Sequence, residues 1–124
     1  MADELTLSVA ANFLKSGAAI DTSDMDLIGQ TFTVNGTDWV KATQSIGTTA
    51  EILGKGEITT PGYLIIKNTD ATNYIELDKA TFTTASGTVK LKAGEFALLR
   101  VSSTNIYACA NTAACVVRYL FLED

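Results

Sequence analysis

The chain has 124 residues, 47% of them hydrophobic and 19% charged, with a net charge of −5 and no histidine. This is enough chain for one domain with a core that needs no disulfide or metal, and too apolar a composition for general disorder. No apolar run reaches the ~18 residues of a membrane-spanning helix. No Lys/Arg run is long enough for a phosphate-binding stripe, so nucleic acid and anionic membranes are excluded as expected partners.

The N-terminus, "MADELTLSVAANFLKSG", places acidic residues where a signal peptide carries basic ones, and reads as an unprocessed start made in a cytoplasm. Within it "ELTLSVA" alternates, with Leu5, Leu7 and Val9 on one face of a strand. Residues 8–20 are Ala-rich and are taken as irregular or edge strand; a short helix is the alternative reading. Residues 1–20 therefore form an expected arm or edge strand, ahead of a domain over 21–124.

"QTFTVNGTDWVKA" contains Asn35-Gly36, the residue pair a two-residue type I′ hairpin prefers, which would set Phe32 opposite Trp39. In "TPGYLIIKNTDATNYIEL" the polar tip Asn68–Asn73 reads as a turn. The register then puts Leu64, Ile66, Ile75 and Leu77 inside, with Lys67, Tyr74, Ile65 and Glu76 outside. "ATFTTASGTVKLKAG" repeats the hairpin pattern at Ser86-Gly87, pairing Phe82 with Leu91 and Thr84 with Val89. "EFALLRVSS" is nearly continuous in apolar residues and reads as a central strand. "NIYACA" and "ACVVRYLFLED" follow, joined by a turn centred on Thr112 that sets Cys109 opposite Cys115 on neighbouring strands. A disulfide is geometrically possible there. For a protein made in a cytoplasm, two reduced, small, buried residues are the expected state. Strand signals recurring every 8–12 residues or so predict an all-β, antiparallel, jelly-roll-like sandwich of about eight strands.

Chemistry is sparse. The lack of histidine removes Ser-His-Asp and Cys-His catalysis and imidazole metal sites. Gly54-Lys55-Gly56 has neither the spacing nor the Ser/Thr of a phosphate loop. Asp21, Asp24 and Asp26 are close in sequence but lack the calcium-loop pattern, and read as a solvated acidic turn. Asn68, Asp70 and Asn73 could supply oxygens to an ion or sugar; as turn residues they bond their own backbone. Glu51, Glu57, Glu76 and Glu95 give no evidence of a glycosidase-type pair. Asn35-Gly36-Thr37 is a formal glycosylation sequon on a chain with no secretory signal. Arg100 and Arg118 each sit inside an apolar strand, as snorkelling or ion-paired residues or as interface residues. No catalytic, cofactor or metal residue is assigned, and the expected class is a non-enzymatic binding or structural module.

Residues 60–124 add a resemblance. The Gly-Tyr-Leu strand running into Lys67-Asn68, the Asp70–Asn73 tip, Leu91–Glu95, Ala108–Thr112 and the ending Glu123-Asp124 resemble small virion structural proteins of tailed bacteriophages. The resemblance implies a β-sandwich on the outside of the head, synthesised in the host cytoplasm. It implies a decoration (cement) protein that binds the major capsid protein as a homo-oligomer, a trimer or dimer. The alternative is a tail or spike component that binds a receptor or carbohydrate. No functional residue carries over, because the matching positions are structural there too. The first 59 residues show no such likeness.

Overall fold

The computed structural model describes residues 4–11, 13–15, 18–20 and 23–124. The chain falls into two compact units, residues 1–35 and 36–124.

The first unit carries β1 (Glu4–Val9), β2 (Phe13–Lys15), β3 (Ala18–Ile20), a one-turn 3-10 helix (Ser23–Met25) and β4 (Leu27–Thr33). β1 and β4 form an antiparallel pair with Leu5 opposite Phe32, and β2 pairs with β3. Of residues 4–11 and 23–35 in this unit, none is buried. A two-stranded ribbon cannot cover both of its own faces.

The second unit carries β5 (Trp39–Ile46), β6 (Glu51–Ile52), β7 (Pro61–Asn68), β8 (Ile75–Asp78), β9 (Val89–Leu91), β10 (Phe96–Arg100), β11 (Tyr107–Ala110) and β12 (Cys115–Glu123). Sheet I has the order β10-β7-β12-β5 and sheet II the order β6-β11-β8-β9, with all pairs antiparallel. Counted from β5, these orders are 6-3-8-1 and 2-7-4-5, the strand order of a jelly roll. Alternate residues of both sheets meet in one core. Ile46, Leu64, Ile66, Val117, Tyr119 and Phe121 enter it from sheet I, and Ile75, Leu77, Leu91, Ala108 and Ala110 from sheet II.

The predicted fold class holds; the predicted hairpins do not. Within the second unit β8–β9 joins neighbours in one sheet, and every other connection crosses from one sheet to the other. Phe32 pairs with Leu5 and Trp39 with Leu122, so there is no hairpin at Asn35-Gly36. Neither residue has a positive φ. Gly36 is needed for a different reason: a Cβ there would lie 2.5 Å from the Cβ of Glu123. Likewise Leu91 pairs with Ile75 and Val89 with Leu77, leaving residues 79–88 as a long loop. Its tight turn lies at Thr83–Ser86, with Ala85 at φ 72°.

The Asn68–Asn73 segment is a turn, but one that carries the chain between the sheets. The expected inner set Leu64, Ile66, Ile75 and Leu77 is buried and Lys67 is exposed. Glu76, expected outside, is buried, with its carboxylate accepting hydrogen bonds from the backbone N–H groups of Ala85 and Gly87. β10, expected to be central, is the edge strand of sheet I. Cys109 and Cys115 are buried and unbridged, but they lie on strands of different sheets, Cys109 opposite Glu76 and Cys115 opposite Ile46.

Candidate functional site

Five of the carboxylates that sequence offers as catalytic or ion-binding candidates, Asp26, Glu51, Asp70, Glu76 and Glu95, accept from backbone donors. Asp70 accepts from the N–H groups of Thr72 at 2.9 Å and Asn73 at 2.6 Å, and these bonds hold its carboxyl below the usual range. Glu51 accepts from Gly47 N and Gln44 Nε2, and Glu95 accepts from Lys92 N. Asp26 accepts from Ala11 N, Asp24 is exposed on the 3-10 turn, Glu57 is exposed, and Asp21 lies outside the described residues. Among the described residues no three His, Cys, Asp or Glu side chains are grouped to hold a metal ion. Asn68 is fully buried: its Nδ2 donates to the carbonyls of Asn73 and Leu91, and its Oδ1 accepts from Asp70 N. It is a structural pin.

The surface that stands out is the outer face of sheet I. Period-two alternation sends Trp39, Lys41, Thr43 and Ser45 of β5 outward, with Val116, Arg118, Leu120 and Leu122 of β12. Tyr63, Ile65 and Lys67 of β7 join them, with Phe96, Leu98 and Arg100 of β10. The ladder aligns them in rows: Trp39–Leu122–Tyr63–Arg100, then Lys41–Leu120–Ile65–Leu98, then Thr43–Arg118–Lys67–Phe96.

Trp39 is 66% exposed, Phe96 63% and Val116 44%, far from the usual state of large apolar side chains. Lys41, Ile65, Lys67, Arg118 and Leu120 line a groove of about 470 Å³ across the middle strands. Lys41, Lys67, Arg100 and Arg118 make the face cationic, and none of its outward positions is a carboxylate. Arg100 is held by Asp124 at 2.8 Å and lies over the Tyr63 ring, 4.7 Å from its centroid. Arg118 makes no ion pair among the described residues. Sequence reasoning weighed both arginines one at a time. It missed the face because its charges lie on four separate strands, although alternation within each strand already placed them outward.

No protein-family model matches the chain, and no curated protein does. A solved structure described as Bacillus endospore appendages forming a novel family of disulfide-linked pili has a similar chain. It is 16% identical at a TM-score of 0.43, over 70% of this chain and 87% of that one.

Proposed function

We propose that this protein is a non-enzymatic virion structural protein that acts as a homo-oligomer on the outer surface of a bacteriophage capsid, decorating and stabilising the head. The observation that carries the reading is the flat outer face of sheet I, with Trp39, Phe96 and Val116 exposed. A broad, shallow, apolar and charged surface of this kind suits contact with another protein more than capture of a small molecule, which needs an enclosing cleft. The loop tips, by contrast, are polar, and Asp70, Asn73 and Asn111 there accept hydrogen bonds from Asn73 N, Thr112 Oγ1 and Tyr74 N of the same loops. A receptor- or glycan-binding module would instead gather its aromatic residues at those tips. The resemblance of residues 60–124 supplies the virion setting. Many copies on a lattice turn weak single contacts into durable attachment.

The test mixes purified protein with undecorated heads and follows co-sedimentation and heat resistance. Saturable co-sedimentation with a raised disruption temperature supports the reading. A chain that ignores heads but binds host cells or glycans belongs to the alternative, a tail or spike receptor-binding component.

A further inference from the structure

The negative charge of this protein is unevenly distributed. Residues 1–35 carry five carboxylates (Asp3, Glu4, Asp21, Asp24, Asp26) against one lysine (Lys15), which is four of the five net negative charges of the whole chain. The same unit leaves Met25 71% exposed and Ile28 66% exposed, with Val9 and Leu27 also uncovered, and none of residues 4–11 and 23–35 is buried. Its β1–β4 pair is a ribbon with apolar residues uncovered, in a unit whose charge is acidic. The sandwich of residues 36–124 has the complementary deficit: a cationic, apolar sheet face carrying Lys41, Lys67, Arg118 and exposed Trp39 and Phe96. The dimensions also match. β4, with seven residues, runs roughly 20 Å, and the outward positions of β5 from Trp39 to Ser45 span about the same length.

We infer that the outer face of sheet I is the docking surface for the N-terminal unit, residues 1–35, of a second copy of this chain. The contact is head-to-tail: the ribbon of one copy covers the face of the next, joining apolar area to apolar area and carboxylates to Lys41, Lys67 and Arg118. Such a heterologous contact closes into a ring or continues as a chain of subunits. A nucleic acid fits less well, although cations and aromatic rings are interleaved on the face. The whole chain is net negative, so a polyanion is repelled at long range, and Arg100 is already held by Asp124. The inference rests on the reading of this face as a protein-contact surface, not on the capsid setting.

The experiment is a charge swap in the full-length chain. One variant carries Lys41→Glu and Arg118→Glu; the other carries Glu4→Lys and Asp24→Lys. All four positions are exposed, so the sandwich core is untouched. In sedimentation velocity the wild type should self-associate, and more weakly as salt shortens the reach of its charges. Each variant alone should lose at least about tenfold in association constant, since like charges then face each other. An equal mixture of the two should recover association in 1:1 proportion, because the unaltered ribbon of the first meets the unaltered face of the second, and the two reversed surfaces attract each other in turn. That recovery also proves both variants folded. A wild type that is monomeric at all concentrations overturns the inference, as does a mixture that stays monomeric. Binding of a single-stranded oligonucleotide that is lost in Lys41→Glu/Arg118→Glu, with no self-association, overturns it as well. A chain that self-associates in this way yet ignores heads rejects only the capsid setting. A monomer that decorates heads rejects this inference and the homo-oligomer, and leaves the capsid setting standing.

Discussion

At the scale of single residues, the acidic composition works as a fastening system. Asp70 takes the N–H groups of Thr72 and Asn73, while Asp78 takes the hydroxyl and N–H of Thr88 and the N–H of Lys79. Glu123 ties Thr59 and Asp38 to the end of β12. Donors of this kind favour the charged form, and all three carboxyls are held below their ordinary values, chiefly by Asn73 N–H, the Thr88 hydroxyl and Thr59 N–H respectively. A pKa lower in the folded chain than in the unfolded one adds stability that is complete above the unfolded carboxylate range, about 3.9–4.3. That stability is lost as pH falls through the folded values. The urea midpoint should therefore stay level from neutral pH down to about 5 and drop below about 4. Asp70→Asn with Asp78→Asn should lower the midpoint at pH 7 and flatten the acid slope. The thiols give a second check. Burial pushes the Cys115 thiol up, with help from the Asp70 charge, and Cys109 is buried beside the Thr48 and Ala110 carbonyls. A thiol held protonated is a poor nucleophile. Alkylation without reductant should label neither cysteine in the native protein and both in denaturant, as read by intact mass.

At the scale of elements, the informative one is the connection from β7 to β8. Asn68 ends β7 in sheet I, and its side chain reaches Asn73 and Leu91, the latter on β9 of sheet II. Its backbone N–H donates to Glu95 and its carbonyl accepts from Gly94. One amide thus fixes where the chain leaves one sheet for the other. Asn68→Ala should cost about 2–4 kcal/mol in urea unfolding, because it orphans buried partners as well as removing bonds. Ile66→Asp, an unpaired charge in the core, should cost more than about 3 kcal/mol. Asp70→Ala, at the exposed tip, should cost less than either. If Asp70→Ala were the most damaging of the three, the tip would be a site and not a turn.

At the scale of the whole molecule, every residue of the core cluster lies between Ile46 and Phe121, within the second unit. A chain beginning at Gly36 should therefore fold, with a single cooperative urea transition near that of the full-length protein. A broad, non-cooperative transition would mean that residues 1–35 supply part of the core. The same asymmetry frames the proposed assembly. The second unit holds the core cluster, while the first holds most of the net charge, and none of its residues 4–11 and 23–35 is buried.

By itself the sequence determined the class of fold and most of its inward faces. Once "YLIIKN" and "CVVRYLFLE" are strands, Leu64 and Ile66 share one side, as do Val117, Tyr119 and Phe121, whatever the partner strand, since side chains on a strand point alternately. The sequence did not determine which strands pair. Alternation and turn residues are the same for a hairpin within one sheet and for a connection between two sheets, so both Asn-Gly and Ser-Gly were misread. Gly36 and Gly87 are explained by atoms far along the chain or across a loop: a Cβ at Gly36 would strike Glu123, and one at Gly87 would come within 2.7 Å of Glu76. The burial of Glu76 follows the same rule, because the loop that neutralises its cost by hydrogen bonding has to be folded first. The cationic face is likewise a product of tertiary structure. Lys41, Lys67, Arg100 and Arg118 are scattered along the chain, and only the order β10-β7-β12-β5 lays them side by side.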